Sequence, residues 1–110
     1  MTMGKNRIDT RDHKARYAER KEKIREYNLK RDYGITVSDY NILFESQNYK
    51  CVICGSENSK GSHKHFHVDH DHKTGRVRGL LCFKCNSLLG QANDDCSILQ
   101  NAIDYLKHHE

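Results

Sequence analysis

Apolar positions are sparse in this chain and fall into short, well-separated groups. From about Thr10 to Tyr33 there is no Pro or Gly, and Tyr17, Ile24 and Tyr27 form a stripe too narrow to bury a helix. Acid-to-base pairs recur there at the helical i to i+4 spacing, Asp12 with Arg16, Glu19 with Lys23 and Glu26 with Lys30, and Gly34 is a natural stop. The pattern predicts a mostly polar helix that lies on a partner or in solvent. Ser38 can cap a second helix running to about Gln47, with Tyr40, Leu43 and Phe44 at i, i+3 and i+4. Residues 56–64 are a polar loop. Phe66 and Val68 then alternate with polar residues as a short strand. A turn at Lys73-Thr74-Gly75 and a second strand from Val77 to Leu81 follow. A straight strand sends Asp69 and His70 to opposite faces, so both serve one site only if the strand ends or bulges beside them. A short helix carrying Asn86, Leu88 and Leu89 is expected to stop at Gly90. Asp94 or Asp95 can cap a final helix in which Ile98, Leu99, Ala102, Ile103 and Leu106 make the widest apolar face in the chain. Lys107, His108 and His109 at its end suit the helix dipole.

Composition adds that this core needs help. Only 35% of the 110 residues are hydrophobic, 31% are charged, and Trp is absent. A domain this small with so thin a core calls for a staple. Two Cys-x-x-Cys pairs, Cys51 with Cys54 and Cys82 with Cys85, can supply a tetrahedral four-thiolate zinc site, whose binding free energy becomes folding free energy. Knuckles without histidine in a domain of this size favour zinc over iron. Closing that site makes a loop of everything between Cys54 and Cys82 and brings Asn86 back toward Asp69 and His70. Five cysteines and a start without an apolar leader argue against a secreted disulfide framework. The longest apolar run, Leu80 to Phe83, excludes a membrane span. The reading therefore places the protein in a reducing cytoplasm.

Charge separates the chain into two parts. Residues 1–33 carry eleven Lys and Arg against six Asp and Glu, whereas the other 77 carry eight against nine. We expect a basic helical arm over 1–33 and a zinc-stapled domain over 34–110. The basic surplus suits a polyanion.

The order strand, hairpin, helix, with acidic and imidazole groups on the first strand and Asn at the start of the helix, resembles the ββα-metal (HNH) nucleases. Phosphodiester hydrolysis needs an activated water, a cation on the crowded phosphorus and a proton for the leaving oxygen. His70 is the candidate base, because imidazole titrates near neutrality. Asp69 and Asn86 offer hard oxygen ligands suited to Mg²⁺ or Mn²⁺. More specifically, CVICG followed by HVDHDHKTGRVRGLLCFKCNSLLGQANDD is similar to the recombination endonuclease VII family of phage enzymes, as is the preceding RDYGITVSDYNILFESQNYKC. The likeness runs from about Arg31 to Leu106. It implies an α+β, zinc-stapled ββα fold with Cys51, Cys54, Cys82 and Cys85 on structural zinc. It also implies His70 as general base, Asp69 and Asn86 on the catalytic divalent ion, and His72 as an accessory catalytic residue. The implied activity is a DNA endonuclease that leaves 5′-phosphate and 3′-hydroxyl ends, working in a bacterial host's cytoplasm and admitting a homodimer. The best-known member has a glutamate three residues after the Asn, where this chain has Leu89.

Other groups have plainer readings. Lys73, Arg76 and Arg78 surround the hairpin and suit phosphate contacts, though Arg78 can equally pack its stem on the strand. Arg16, Arg20, Lys23 and Lys30 on the arm would give sequence-independent, salt-sensitive DNA affinity, and the same helix can be a solvated or dimerising element. Asp71 orients a neighbour or faces solvent. His63, His65 and His67 read as solvated, and Cys96 as a buried small side chain. Two competitors to the nuclease are a non-catalytic zinc-stabilised DNA-binding adaptor and a zinc hydrolase with Asp69, His70 and His72 as ligands.

Overall fold

The computed structural model describes residues 10–61 and 64–110, with side chains from residue 15 onward. The fold is mixed α+β, in the order α1 (Thr10–Tyr33), α2 (Val37–Ser46), β1 (His67–His70), β2 (Val77–Leu81), α3 (Phe83–Gln91) and α4 (Cys96–His108). By contact density the chain divides into Met1–Asn41 and Ile42–Glu110.

In the first unit, α1 spans the predicted residues, and Tyr17, Ile24 and Tyr27 are exposed as the narrow stripe requires. Leu29 is its buried apolar residue. Among the described side chains of this helix the pairs that form are Glu22 with Arg25 at 3.3 Å and Arg31 with Asp32 at 2.8 Å, and not the expected Glu19–Lys23 and Glu26–Lys30. Asp12 of the third expected pair lies outside the described side chains. Exposed pairs are worth only tenths of a kcal/mol, so solvation easily decides which of them close. Gly34 ends the helix at φ 71°, its N–H donating to the Lys30 carbonyl at 3.0 Å.

The expected cap of α2 needs correction. Thr36, not Ser38, holds it: the Asp39 N–H donates to Thr36 Oγ1, and the Thr36 N–H donates to Asp39 Oδ2, both at 3.0 Å. This reciprocal capping box satisfies two donors where a lone Ser38 cap satisfies one, so the helix begins at Val37. Tyr40 is buried, with the Arg25 guanidinium 4.7 Å from its ring centre.

The second unit is built on the antiparallel pair β1 and β2, with α3 packed on both strands. Leu80, Leu81 and Cys82 are its fully buried side chains, joined by Phe66 and Val68. Phe44 meets Phe66 edge to face at 5.0 Å. Gln47 acts as a piece of strand: its Oε1 accepts the Leu80 N–H at 2.9 Å while its Nε2 donates to the Leu80 carbonyl at 3.0 Å. The register runs His67 to Leu81, Val68 to Leu80 and Asp69 to Gly79, and then slips so that His70 faces Val77. Arg78 on β2 is the extra residue of this bulge, opposite the Asp69–His70 step where a shared site would need the strand to end or bulge.

Two further expectations at the end of the chain are corrected. Gly90 does not stop α3, which runs on to Gln91 and ends at Ala92. The left-handed residues that turn the chain are Asn93 and Asp94, each at φ 55°, and Asn and Asp are the non-glycine residues that tolerate this conformation best. Of the two candidate caps for α4, Asp95 is the one used, accepting from Ser97 N at 2.8 Å and Ile98 N at 3.4 Å. The apolar face of α4 is not buried, and no residue of this helix is enclosed. Among the described residues, no helix is long and apolar enough to cross a membrane.

Candidate metal centre and hairpin cleft

The four knuckle cysteines converge. Their Sγ atoms all lie within 4.8 Å of one another, and Cys54 and Cys82 are 3.7 Å apart at sulfur. A tetrahedron with zinc–sulfur bonds of about 2.3 Å has edges of about 3.8 Å, so the cluster has the size that a structural zinc ion needs. Gly55, at φ 76°, closes the first knuckle by donating its N–H to the Cys51 carbonyl at 2.9 Å. The second knuckle opens α3, with Cys82 at the helix N-cap.

The sulfurs carry the electrostatics of a cation site. Burial pushes the Cys51 thiol up, but hydrogen bonds from the backbone of Cys54, Cys82 and Ile53 outweigh it and bring the thiol down to about 6. Cys85 moves the other way, raised first by burial and then by the neighbouring sulfurs. Thiolates this close repel one another, and a divalent ion among them would favour the deprotonated form at each ligand. Lys60 adds a positive charge, its Nζ 3.9 Å from the exposed Cys54 sulfur.

Beyond the cysteines the hairpin end gathers charge. Arg78 grips Asp69 with two parallel bonds, Nε to Oδ2 at 2.8 Å and Nη2 to Oδ1 at 2.9 Å. The Asp69 side chain is only 12% exposed. The Arg78 guanidinium is held well above its ordinary range, first by the hydrogen bond to Asp69. A third contact reaches from Nη2 to Asp94 Oδ2 at 3.3 Å, and His72 Nε2 is 3.5 Å from that same oxygen. The rings of His70 and His72 are 4.8 Å apart at their centres.

Asp71 sets the turn. Its Oδ1 accepts the Lys73 N–H at 2.7 Å and the Thr74 N–H at 3.1 Å, which lowers its carboxyl from the ordinary value. It thus orients neighbours, one of the two roles expected of it. Lys73 and Arg78 line an open cleft of about 730 Å³ together with His72, Asn93, Asp94 and Asp95. Asp69 reaches this cleft through Arg78. Arg76 is exposed on the turn, and Asn86 sits half-buried on α3. On α1, Arg16, Arg20 and Lys23 line one shallow groove with Tyr27.

His65 is exposed, and the His67 ring faces Phe83 at 6.0 Å. His63 lies outside the described residues. Cys96 is exposed, not buried as expected, because α4 encloses none of its side chains.

The sequence reading gave Asp94 no part beyond capping. Its signal was the pair Asp94-Asp95, in which one helix can use only one cap and the other carboxylate is left for something else.

The family model of recombination endonuclease VII matches residues 26–108. The chain belongs to that family. The match takes in both knuckles, the bulged hairpin and α2, α3 and α4, so the endonuclease VII segment contains every residue of the sulfur cluster and of the hairpin cleft, and leaves out Arg16, Arg20 and Lys23 of α1. Two curated relatives are each called Gene 59 protein: that of Mycobacterium phage D29 is 51% identical over 76 residues, and that of Mycobacterium phage L5 is 48% identical over 75. These alignments cover 68% and 67% of this chain but only 45% and 44% of the relatives, so the chain matches less than half the length of either. No solved structure matches it.

Proposed function

We propose that this chain is a divalent-metal-dependent DNA endonuclease of the HNH type. The observation that carries the reading is the bulge between Asp69 and His70, in a family member whose hairpin is tied down by a four-cysteine cluster. The slip places Arg78 against Asp69 at the end of β1, next to the paired rings of His70 and His72, so that an acid, two imidazoles and a cation share one end of the hairpin.

In this reading His70 accepts the proton of the attacking water, and His72 assists at the leaving group. Asp69 and Asn86 hold Mg²⁺ or Mn²⁺, which when bound supplies charge stabilisation at the phosphorus. Asp69 carries the Arg78 fork on both oxygens, so a hard cation engages this carboxylate as the guanidinium gives way. Lys73 and Arg78 flank the cleft and bind the backbone on either side of the scissile bond, with Arg76 on the turn beside them. Arg16, Arg20 and Lys23 add affinity that is indifferent to sequence. Structural zinc keeps the hairpin and α3 together, and DNA is the substrate.

The test is nicking of supercoiled plasmid, linear duplex and a four-way junction in Mg²⁺, in Mn²⁺ and in EDTA. Cleavage that needs the ion, and that is abolished in His70→Ala with zinc content and DNA binding intact, is the expected result. Unchanged cleavage in that variant removes His70 from the chemistry. One observation favours a second reading, the non-catalytic zinc-stapled DNA-binding module: the Arg78 fork already engages both Asp69 oxygens. That reading predicts DNA binding without nicking in either metal.

A further inference from the structure

We infer that Asp94 is a positioning residue, whose carboxylate holds the His72 imidazole and the Arg78 guanidinium at the mouth of the cleft. For its consequence in catalysis the inference rests on the nuclease reading; its geometry does not.

Four observations converge on it. First, Asp94 is free of the role its position suggests, because Asp95 caps α4 through Ser97 and Ile98. Second, the backbone is committed to presenting this side chain. Asn93 and Asp94 both stand at φ 55°, and Asn93 N, Asp94 N and Asp95 N donate to the carbonyls of Gly90, Leu89 and Ala92 at 3.1, 2.9 and 3.0 Å. A left-handed pair held by three hydrogen bonds is a rigid mount. Third, one oxygen, Oδ2, lies 3.3 Å from Arg78 Nη2 and 3.5 Å from His72 Nε2, so a single atom ties the helix junction to two points of the hairpin, 16 and 22 residues away in sequence. Fourth, the groups it touches differ in how much they need it. The His72 side chain is 69% exposed and, apart from His70, has little to fix its ring, whereas Asp94 is only 23% exposed.

The arrangement also resolves a conflict over Asp69. A guanidinium fork and a divalent cation compete for the same carboxylate, and the displaced guanidinium would otherwise swing into solvent. With Asp94 as a second anion, Arg78 keeps one anchor on the cleft wall, within reach of a backbone phosphate, while Asp69 turns to the metal. In this inference Asp94 acts through His72 and Arg78 and not on the scissile bond, which separates its role from those of His70 and His72.

The experiment uses the full, zinc-loaded chain and two variants compatible with a left-handed backbone, Asp94→Asn and Asp94→Gly. Asp95→Asn is the control for damage to the helix junction alone. NMR relaxation of the His72 ring carbons and of Arg78 Nε reads positioning without requiring cleavage. Loss of order at both groups in the two Asp94 variants, with Asp95→Asn retaining it, is expected. On supercoiled plasmid, the nicking kcat should fall about tenfold through the loosened His72, and KM should rise through the loosened Arg78. Retention of parental order at His72 and Arg78 in Asp94→Gly overturns the inference. So does a kcat that stays at the parental value in both Asp94 variants while the parent cleaves. If the parent protein does not cleave at all, the nuclease reading fails, and the relaxation data still decide the role of Asp94.

Discussion

The hairpin with its knuckles and the terminal helix α4 lie within the same 69-residue unit, yet they are stabilised in opposite ways. The hairpin has the weaker sequence signal, two strands of four and five residues, but it contains the fully buried Leu80, Leu81 and Cys82. Helix α4 has the strongest amphipathic pattern in the chain and encloses none of it; Ile98 and Ile103 are almost half exposed. Periodicity tells where an apolar face exists, and topology decides whether anything covers it. Two short strands are marginal alone, so what makes them a core is the sulfur cluster, the packing of α3 and the Gln47 side chain on Leu80.

If the difference is real, damage should scale with distance from the sulfurs. Cys82→Ser is expected to unfold the second unit and release zinc, because the metal contributes on the order of 10 kcal/mol in small zinc domains. Elemental analysis with circular dichroism checks it, and a folded, zinc-free variant would break the contrast. Leu80→Ala should follow, at about 2–5 kcal/mol in chemical denaturation of the zinc-loaded protein. Gln47→Ala should cost about 1–3 kcal/mol, since it strips the Leu80 N–H of its partner and leaves the Leu80 carbonyl only the Val52 N–H at 3.4 Å. Ile103→Ala on α4 should lie within about 0.5 kcal/mol of the parent, the size of an ordinary surface change.

Acid sharpens the same contrast in a different way. Asp95 is lowered first by the Ser97 hydroxyl, and Asp71 first by the Lys73 N–H, both from an ordinary 3.8. A carboxyl depressed on folding stabilises fully above its unfolded value, and that stabilisation disappears as pH falls through the lower folded value. The start of α4 and the hairpin turn should therefore loosen below about pH 3.8. The sulfur cluster should fail earlier on the way down, because its ligands must be deprotonated to hold zinc. Amide exchange followed by NMR from pH 7 downward checks the order of events.

Element order, the thiolate cluster and the strand break at Asp69 were all legible in the sequence, because each follows from spacing or from a period. What escaped it depends on choices among equivalent residues. Thr36 and Ser38 are both good caps, and only the reciprocal bond from Asp39 decides between them. Gly90 can end a helix or continue one, and here the left-handed turn fell to Asn93 and Asp94 instead. The fork between Arg78 and Asp69, and the reach of Asp94 to His72 and Arg78, join residues 9 to 22 apart through a bulge and a junction with no signature in the linear pattern.

Gln47 has a consequence for how this protein behaves in company. A ribbon of two strands has two raw flanks, each an invitation for another chain to add itself. By occupying the outward-facing N–H and carbonyl of Leu80, one amide side chain closes the β2 flank near its middle. The fold thus guards this flank with the Gln47 side chain together with the Val52 N–H, which also reaches the Leu80 carbonyl at 3.4 Å, and opening it would be expected to favour association edge to edge.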